Sequence, residues 1–233
     1  MRITQYKALG FSCYGTLVDR NRAILDALKP LLARVELHDS EAVLSRYRQL
    51  AVELRQHSPD ISQLQLHCRL HERLARELEI PEDADSDWDL AMNFANRVSH
   101  WLIYEDVPGA LQYLSKFYRL VMLMPADAGP ADALTERLPV EFDARVIYQP
   151  DDRRRALADT LVAAGISREE LLPVRSLEED DPWRELVDFP ICTLRRGQEV
   201  PWTPPAPTGK GGRCEYASLA DLVLAHQDAL RGG

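Results

Sequence analysis

Short apolar, strand-like runs alternate with helical stretches along most of this chain, and that alternation restricts the fold more than any other feature. The runs are Ala8–Phe11, Leu120–Met124, Ala144–Tyr148, Leu171–Val174 and Pro190–Leu194. Helical patterns at Val107–Phe117, Pro130–Arg137, Arg153–Ala164 and Asp181–Val187 separate most of them. Strands separated by helices build βαβ units, which predicts an α/β core with a mainly parallel sheet covered on both faces. The crossovers are right-handed. Ligands of such sheets lie at the carboxyl ends of the strands. Ser12, Met124, Gln149 and Arg175 are expected at those ends.

The alternation is interrupted once. Between the first and second runs lies a block, about Asn21 to Tyr104, with helical spacing throughout. Ile24, Leu25, Leu28, Leu31 and Leu32 recur on one face, and Leu66, Leu70, Leu74 and Leu78 follow at intervals of four. Trp88, Leu90, Ala91, Phe94, Val98 and Trp101 form a third stripe. The expected organisation is a core of residues 1–18 plus 105–233, with a helical insert of residues 19–104. Near the end, Glu199–Gly212 reads as a Pro/Gly-rich surface loop. Ser218–Leu230 reads as a last amphipathic helix capped by Ser218.

Charge removes some function classes. Lys and Arg total 28 against 37 Asp and Glu, a net charge of −9. General nucleic-acid binding needs a basic face, so no nucleic-acid partner is expected. No run approaches the roughly 20 apolar residues of a membrane helix. The opening residues contain no apolar signal region, and the expected location is cytoplasmic. Cys13, Cys68, Cys192 and Cys214 lack metal-ligand spacing and read as reduced structural thiols, with Cys13 and Cys192 in core strands. His67 and His71 share a helix face at i, i+4, but they read as a solvated or partly packed face rather than a metal site.

Four segments carry the candidate chemistry. The first is Phe11-Ser12-Cys13-Tyr14-Gly15-Thr16-Leu17-Val18-Asp19, an apolar strand entering a tight turn. The second is Tyr118-Arg119-Leu120-Val121-Met122-Leu123-Met124-Pro125-Ala126-Asp127. The third is Val146-Ile147-Tyr148-Gln149-Pro150-Asp151, and the fourth is Val174-Arg175-Ser176-Leu177-Glu178-Glu179-Asp180. Together they resemble the haloacid dehalogenase superfamily, most closely its type II 2-haloacid dehalogenase branch. The resemblance implies a Rossmann-like α/β core with a helical cap inserted after the first strand. It also implies a hydrolase that works without magnesium, since Tyr14 stands where phosphatases of the superfamily carry a second aspartate. No cofactor and no metal are expected.

The resemblance also marks departures. Ser12 stands in place of the nucleophilic aspartate. Met124-Pro125 replaces Ser-Asn, and neither residue offers a useful donor. Gln149 replaces the lysine that holds the nucleophile ionised, and Arg155 takes the place of a tyrosine. In the pattern Val-Ser-Ser-Asn-x-x-Asp, Ser176 and Asp180 match while Arg175 and Leu177 do not. Aspartate and lysine form a charge-balanced pair, and both are gone. Loss of a nucleophile alone costs on the order of 10⁴ to 10⁶ in rate. A serine in its place needs an adjacent base, and no histidine lies in the four segments. Asp19 suits a hinge or a helix cap.

No catalytic residue is therefore assigned. Tyr14, Gly15, Thr16, Arg175, Ser176 and Asp180 are the candidates for lining a pocket that holds a small anion. Arg175 has two readings, an ion pair with Asp180 or Glu179 and a ligand-holding cation. Arg155 reads as a partner of Asp151 and Asp152. The leading expectation is a non-hydrolytic pseudoenzyme with a binding, regulatory or partner role, a protein partner or a homodimer included. The alternative is a hydrolase of altered mechanism acting on a small carboxylate or phosphate under the cap.

Overall fold

A computed structural model describes residues 2–35, 39–58, 60–80, 84–98, 102–126, 134–149, 152–176, 183, 190–196 and 213–232. The chain divides into two compact units. One comprises Met1–Val18 and Ile103–Gly233, and the other Asp19–Leu102.

The first unit is built on a parallel sheet. Its strands are β1 (Ala8–Ser12), β2 (Arg119–Pro125), β3 (Ala144–Tyr148), β4 (Leu171–Ser176), β5 (Ile191–Leu194) and β6 (Arg213–Tyr216). Their order is β3-β2-β1-β4-β5-β6, the doubly wound order whose direction reverses between β1 and β4. All pairings are parallel; Leu9 faces Leu120 on one side and Leu172 on the other. Every residue of β1 is buried, as expected of a central strand covered on both faces. β3 lies at the sheet edge and alternates buried and exposed.

Among the described residues the longer helices of this unit are α5 (Val107–Leu114), α6 (Arg153–Ala164) and α7 (Leu219–Arg231). α6 stops at Gly165, whose φ of 63° supplies the left-handed C-terminal turn. α7 starts at Ser218, whose hydroxyl accepts from the Asp221 N–H at 3.1 Å. Leu157 and Leu161 of α6 pack with Val121, Leu123 and Val146 of the sheet. Trp183 is wholly buried in the same cluster, and a Cβ on Gly10 would come within 2.7 Å of its ring. Gly10 is thus the strand position that admits the indole.

The second unit is helical: α1 (Arg20–Leu32), α2 (Ser40–His57), α3 (Gln63–Glu77) and α4 (Ala84–Val98). Asp19 caps α1 by accepting from the Arg22 N–H at 3.0 Å, and Asp39 caps α2. Ser62 and Gln65 form a reciprocal capping box on α3. The leucines read at helical spacing do form the core: Leu28, Leu31, Leu66, Leu70 and Leu74 cluster with Leu50 and Phe94. Each fully buried leucine contributes about 1.5–3 kcal/mol relative to exposure.

Several expectations require correction. The sixth strand, Arg213–Tyr216, was not anticipated: four residues holding one charge at each alternate position present little apolar signal. Cys13 lies one residue past β1, although it is buried and its N–H still donates to Leu123 O at 2.8 Å. His67 and His71 are not on a solvated face; both are buried against Phe94. Half of the helix read at Pro130–Arg137, all but Trp183 of the one at Asp181–Val187, and the whole loop at Glu199–Gly212 lie outside the described residues.

His67 is buried and donates to or accepts from the Tyr47 hydroxyl at 2.9 Å. Burial first, with Arg20 and Arg55 adding repulsion, lowers its pKa to about 4 from an ordinary 6.5. The unfolded chain therefore binds a proton below about pH 6.5 that the folded helical unit refuses. Stability is full above that pH and falls as pH drops, by about 3 kcal/mol on reaching pH 4. Urea titrations of the parent and of His67→Phe between pH 4 and 7 should show a steeper loss of stability on acidification in the parent than in the variant.

Candidate functional site

β1 ends where the sheet order reverses, so the turn after it faces the position at which this architecture leaves room for a ligand. The turn is tied to itself. Cys13 O accepts from the N–H groups of Leu17 and Val18, both at 3.1 Å, and Gly15 N–H donates to Val18 O at 3.0 Å. Gly15 takes φ 69°, a region in which a side chain would be strained.

Ser12 is fully buried at the end of β1. Its hydroxyl shares a hydrogen bond with the buried hydroxyl of Thr16 at 2.7 Å. Ser176, at the end of β4, donates to Tyr14 O at 3.4 Å. Four of the residues read from the sequence, Ser12, Tyr14, Thr16 and Ser176, are thus drawn together by the β1 turn and the end of β4. Of the four atoms concerned in these bonds, none belongs to a carboxylate, an imidazole or an amine.

The other positions are arranged differently. Met124 is buried within β2, and Pro125 is half-buried opposite Tyr148 of β3. Gln149 follows β3 and is exposed; its N–H donates to Asp152 Oδ1 at 2.8 Å. Arg155 is exposed on the first turn of α6. Arg175 lies in β4 and donates from Nε to Thr193 Oγ1, its register partner on β5, at 3.4 Å. Leu177 and Asp180 lie outside the described residues, as do Glu178, Glu179, Asp127 and Asp151. Among the described residues no group of histidine, cysteine and carboxylate side chains could hold a metal ion.

One cluster went unread in the sequence. Arg196 follows β5, at the same end of the sheet, and is largely buried. Its Nη2 donates to Thr16 O at 2.7 Å and its Nη1 to Asp106 Oδ1 at 2.8 Å. The guanidinium lies over the Tyr104 ring, 3.8 Å from its centre. Asp106 precedes α5 but does not cap it. Its Oδ2 instead accepts from Leu219 N–H at 2.7 Å and Ala220 N–H at 3.3 Å, at the start of α7. Asp106 and Arg196 are a carboxylate beside a cation at the upper edge of the sheet, so they are the natural place to look for a replacement nucleophile. Both carboxylate oxygens are occupied, and the arrangement is that of a tether joining the β1 turn, the end of β5 and α7. The strand-end rule that singled out Ser12 applies equally to Arg195-Arg196, and that was the available signal.

Solved structures with this architecture identify it. A defluorinating L-2-haloacid dehalogenase superposes with a TM-score of 0.64 at 17% identity, covering 97% of this chain and 99% of its own. A 2-haloacid dehalogenase from Pseudomonas syringae pv. tomato gives 0.55 at 18% identity, over 96% and 99%. The chain has the 2-haloacid dehalogenase fold. An L-2-haloacid dehalogenase from Xanthobacter autotrophicus with chloropropionic acid covalently bound matches at 0.56 and 19% identity, over 83% of this chain and 79% of its own. At such identities the likeness establishes the haloacid dehalogenase fold and does not carry the activity. No family model matches the sequence, and no curated protein does. Among the described residues no helix is long and apolar enough to cross a membrane.

Proposed function

We propose that this protein is a non-hydrolytic pseudoenzyme on the haloacid dehalogenase scaffold, acting by binding rather than by turnover. The observation that carries the proposal is the state of Ser12. The residue set at the nucleophile's place is wholly buried, and its hydroxyl is engaged with another hydroxyl, that of Thr16. A serine becomes a nucleophile when a base removes its proton, and threonine is not a base. Gln149, at the place of the ion-pairing lysine, is exposed and uncharged. Among the described residues, positions 12 and 149 thus supply neither a carboxylate to attack a substrate nor a cation to hold one ready.

What the edge retains is suited to recognition. The Thr16 and Ser176 hydroxyls and the Arg175 guanidinium suit a small carboxylate or phosphate, and such a ligand would give the protein a regulatory or partner role. The reading as a hydrolase of altered mechanism uses Ser12 or a water as the attacking group, and the bond of Ser12 to Thr16 speaks against the first. The test is a turnover screen of the intact chain with 2-haloacids, phosphate monoesters and carboxylic esters, run beside Ser12→Ala. Parent and variant should both remain at the buffer rate. Turnover by the parent that Ser12→Ala abolishes would overturn the proposal.

A further inference from the structure

The helical unit contains a partly open pocket of about 170 Å³ among α1, α2 and α3. Leu28, Leu31, Val43 and Leu74 form its apolar wall, and each is buried. Arg46 and Glu77 stand beside it and are the charged residues of the lining. They do not leave a free charge for a ligand. Arg46 donates from Nε to Glu77 Oε2 at 2.7 Å and from Nη2 to Glu77 Oε1, a bidentate fork. Its Nη1 is shared between Gln49 at 3.2 Å and Glu53 at 3.3 Å. The Glu77 carboxyl is held below the usual carboxylate range, by its hydrogen bond with Arg46 before anything else.

We infer that this cavity is a binding site for a small neutral apolar molecule about the size of benzene or toluene. Three observations fix that class. The volume matches, since an apolar cavity of about 150 Å³ admits benzene. The walls are leucine and valine side chains, so atoms facing the void lack dispersion partners that an apolar guest restores and water does not. The adjacent cation already has its carboxylate in both donor positions of the fork, so an anionic guest would have to displace Glu77. The site lies wholly within the helical unit, and the inference stands whether or not the core unit has chemistry.

The test is thermal unfolding of the full chain with toluene, and with benzoate as the charged analogue of similar shape. Toluene near saturation should raise the melting temperature by about 3 °C or more, as expected once its concentration is about ten times the dissociation constant, and benzoate should not. Val43→Phe places a ring in the void and should remove the toluene response. Ala42→Leu, from the less buried side of the lining, should weaken it if Val43→Phe does not fold. No toluene shift in the parent would overturn the inference. So would a full toluene shift in whichever variant folds, or an equal shift with benzoate.

Discussion

Ser12→Asp is expected to lower the stability of the core unit by about 3 kcal/mol at neutral pH, relative to Ser12→Asn. The serine side chain is fully buried and its hydrogen-bond partner is the Thr16 hydroxyl. Among the described residues the side-chain bond made at position 12 is to a threonine hydroxyl, and a buried charge left uncompensated costs about 3–5 kcal/mol. Rather than pay the whole cost, the group retains its proton. The unfolded chain releases that proton near pH 4, and the folded chain does so only at a higher, raised pKa. Stability relative to Ser12→Asn therefore falls as pH rises from about 4 towards the raised pKa, and is nearly equal to it below pH 4. Asparagine has the same shape and no charge, so the difference isolates ionisation. Urea titrations of both variants at pH 4 and pH 7.5 measure it. Equal stability at both pH values would mean that a cation lies within reach of position 12.

Asp106→Ala is expected to cost about 4 kcal/mol. Asp106 and Arg196 are both less than a fifth exposed, so the pair is poorly screened. Truncating Asp106 leaves the guanidinium buried beside Tyr104 without its carboxylate, which costs about 3–5 kcal/mol. It also frees the N–H groups of Leu219 and Ala220 at the start of α7, a loss of about 1 kcal/mol of the kind seen on removing a helix cap. The two losses share atoms and do not simply add. Removing the cation as well, in Asp106→Ala with Arg196→Met, should restore part of the stability, because no orphan charge then remains. A double-mutant cycle by denaturant unfolding reads the coupling. Strict additivity of the two single changes would show that the 2.8 Å contact contributes nothing.

Much of the fold was legible because periodicity reports burial directly. β1, β2 and β4 are apolar runs covered on both faces, and the leucines of α1 and α3 repeat at the helical interval. β6 was not legible, because Arg213-Cys214-Glu215-Tyr216 alternates charge with buried residues over only four positions. His67 and His71 misled for a related reason. A histidine reads as polar, yet Phe94 and the Tyr47 hydroxyl supply an apolar wall and a hydrogen bond that make burial tolerable. At the site, the β1 turn was found from its Tyr-Gly-Thr signature, and the structure does join Ser12, Thr16, Tyr14 and Ser176. Arg196 and Asp106 were missed because their partners lie 180 and 90 residues away in sequence. No local pattern encodes such a tether; only the sheet order brings its parts together.

The most direct measurement is intact-protein mass spectrometry after incubation with a 2-haloacid, with released halide measured in the same sample. In the covalent route a carboxylate oxygen displaces halide and an ester to the protein forms. With serine at position 12 the mass should remain that of the unmodified chain and halide should not exceed the level in buffer. An adduct equal to the acid less hydrogen halide, mapped to any aspartate or glutamate of the core unit and accompanied by stoichiometric halide, would contradict the account.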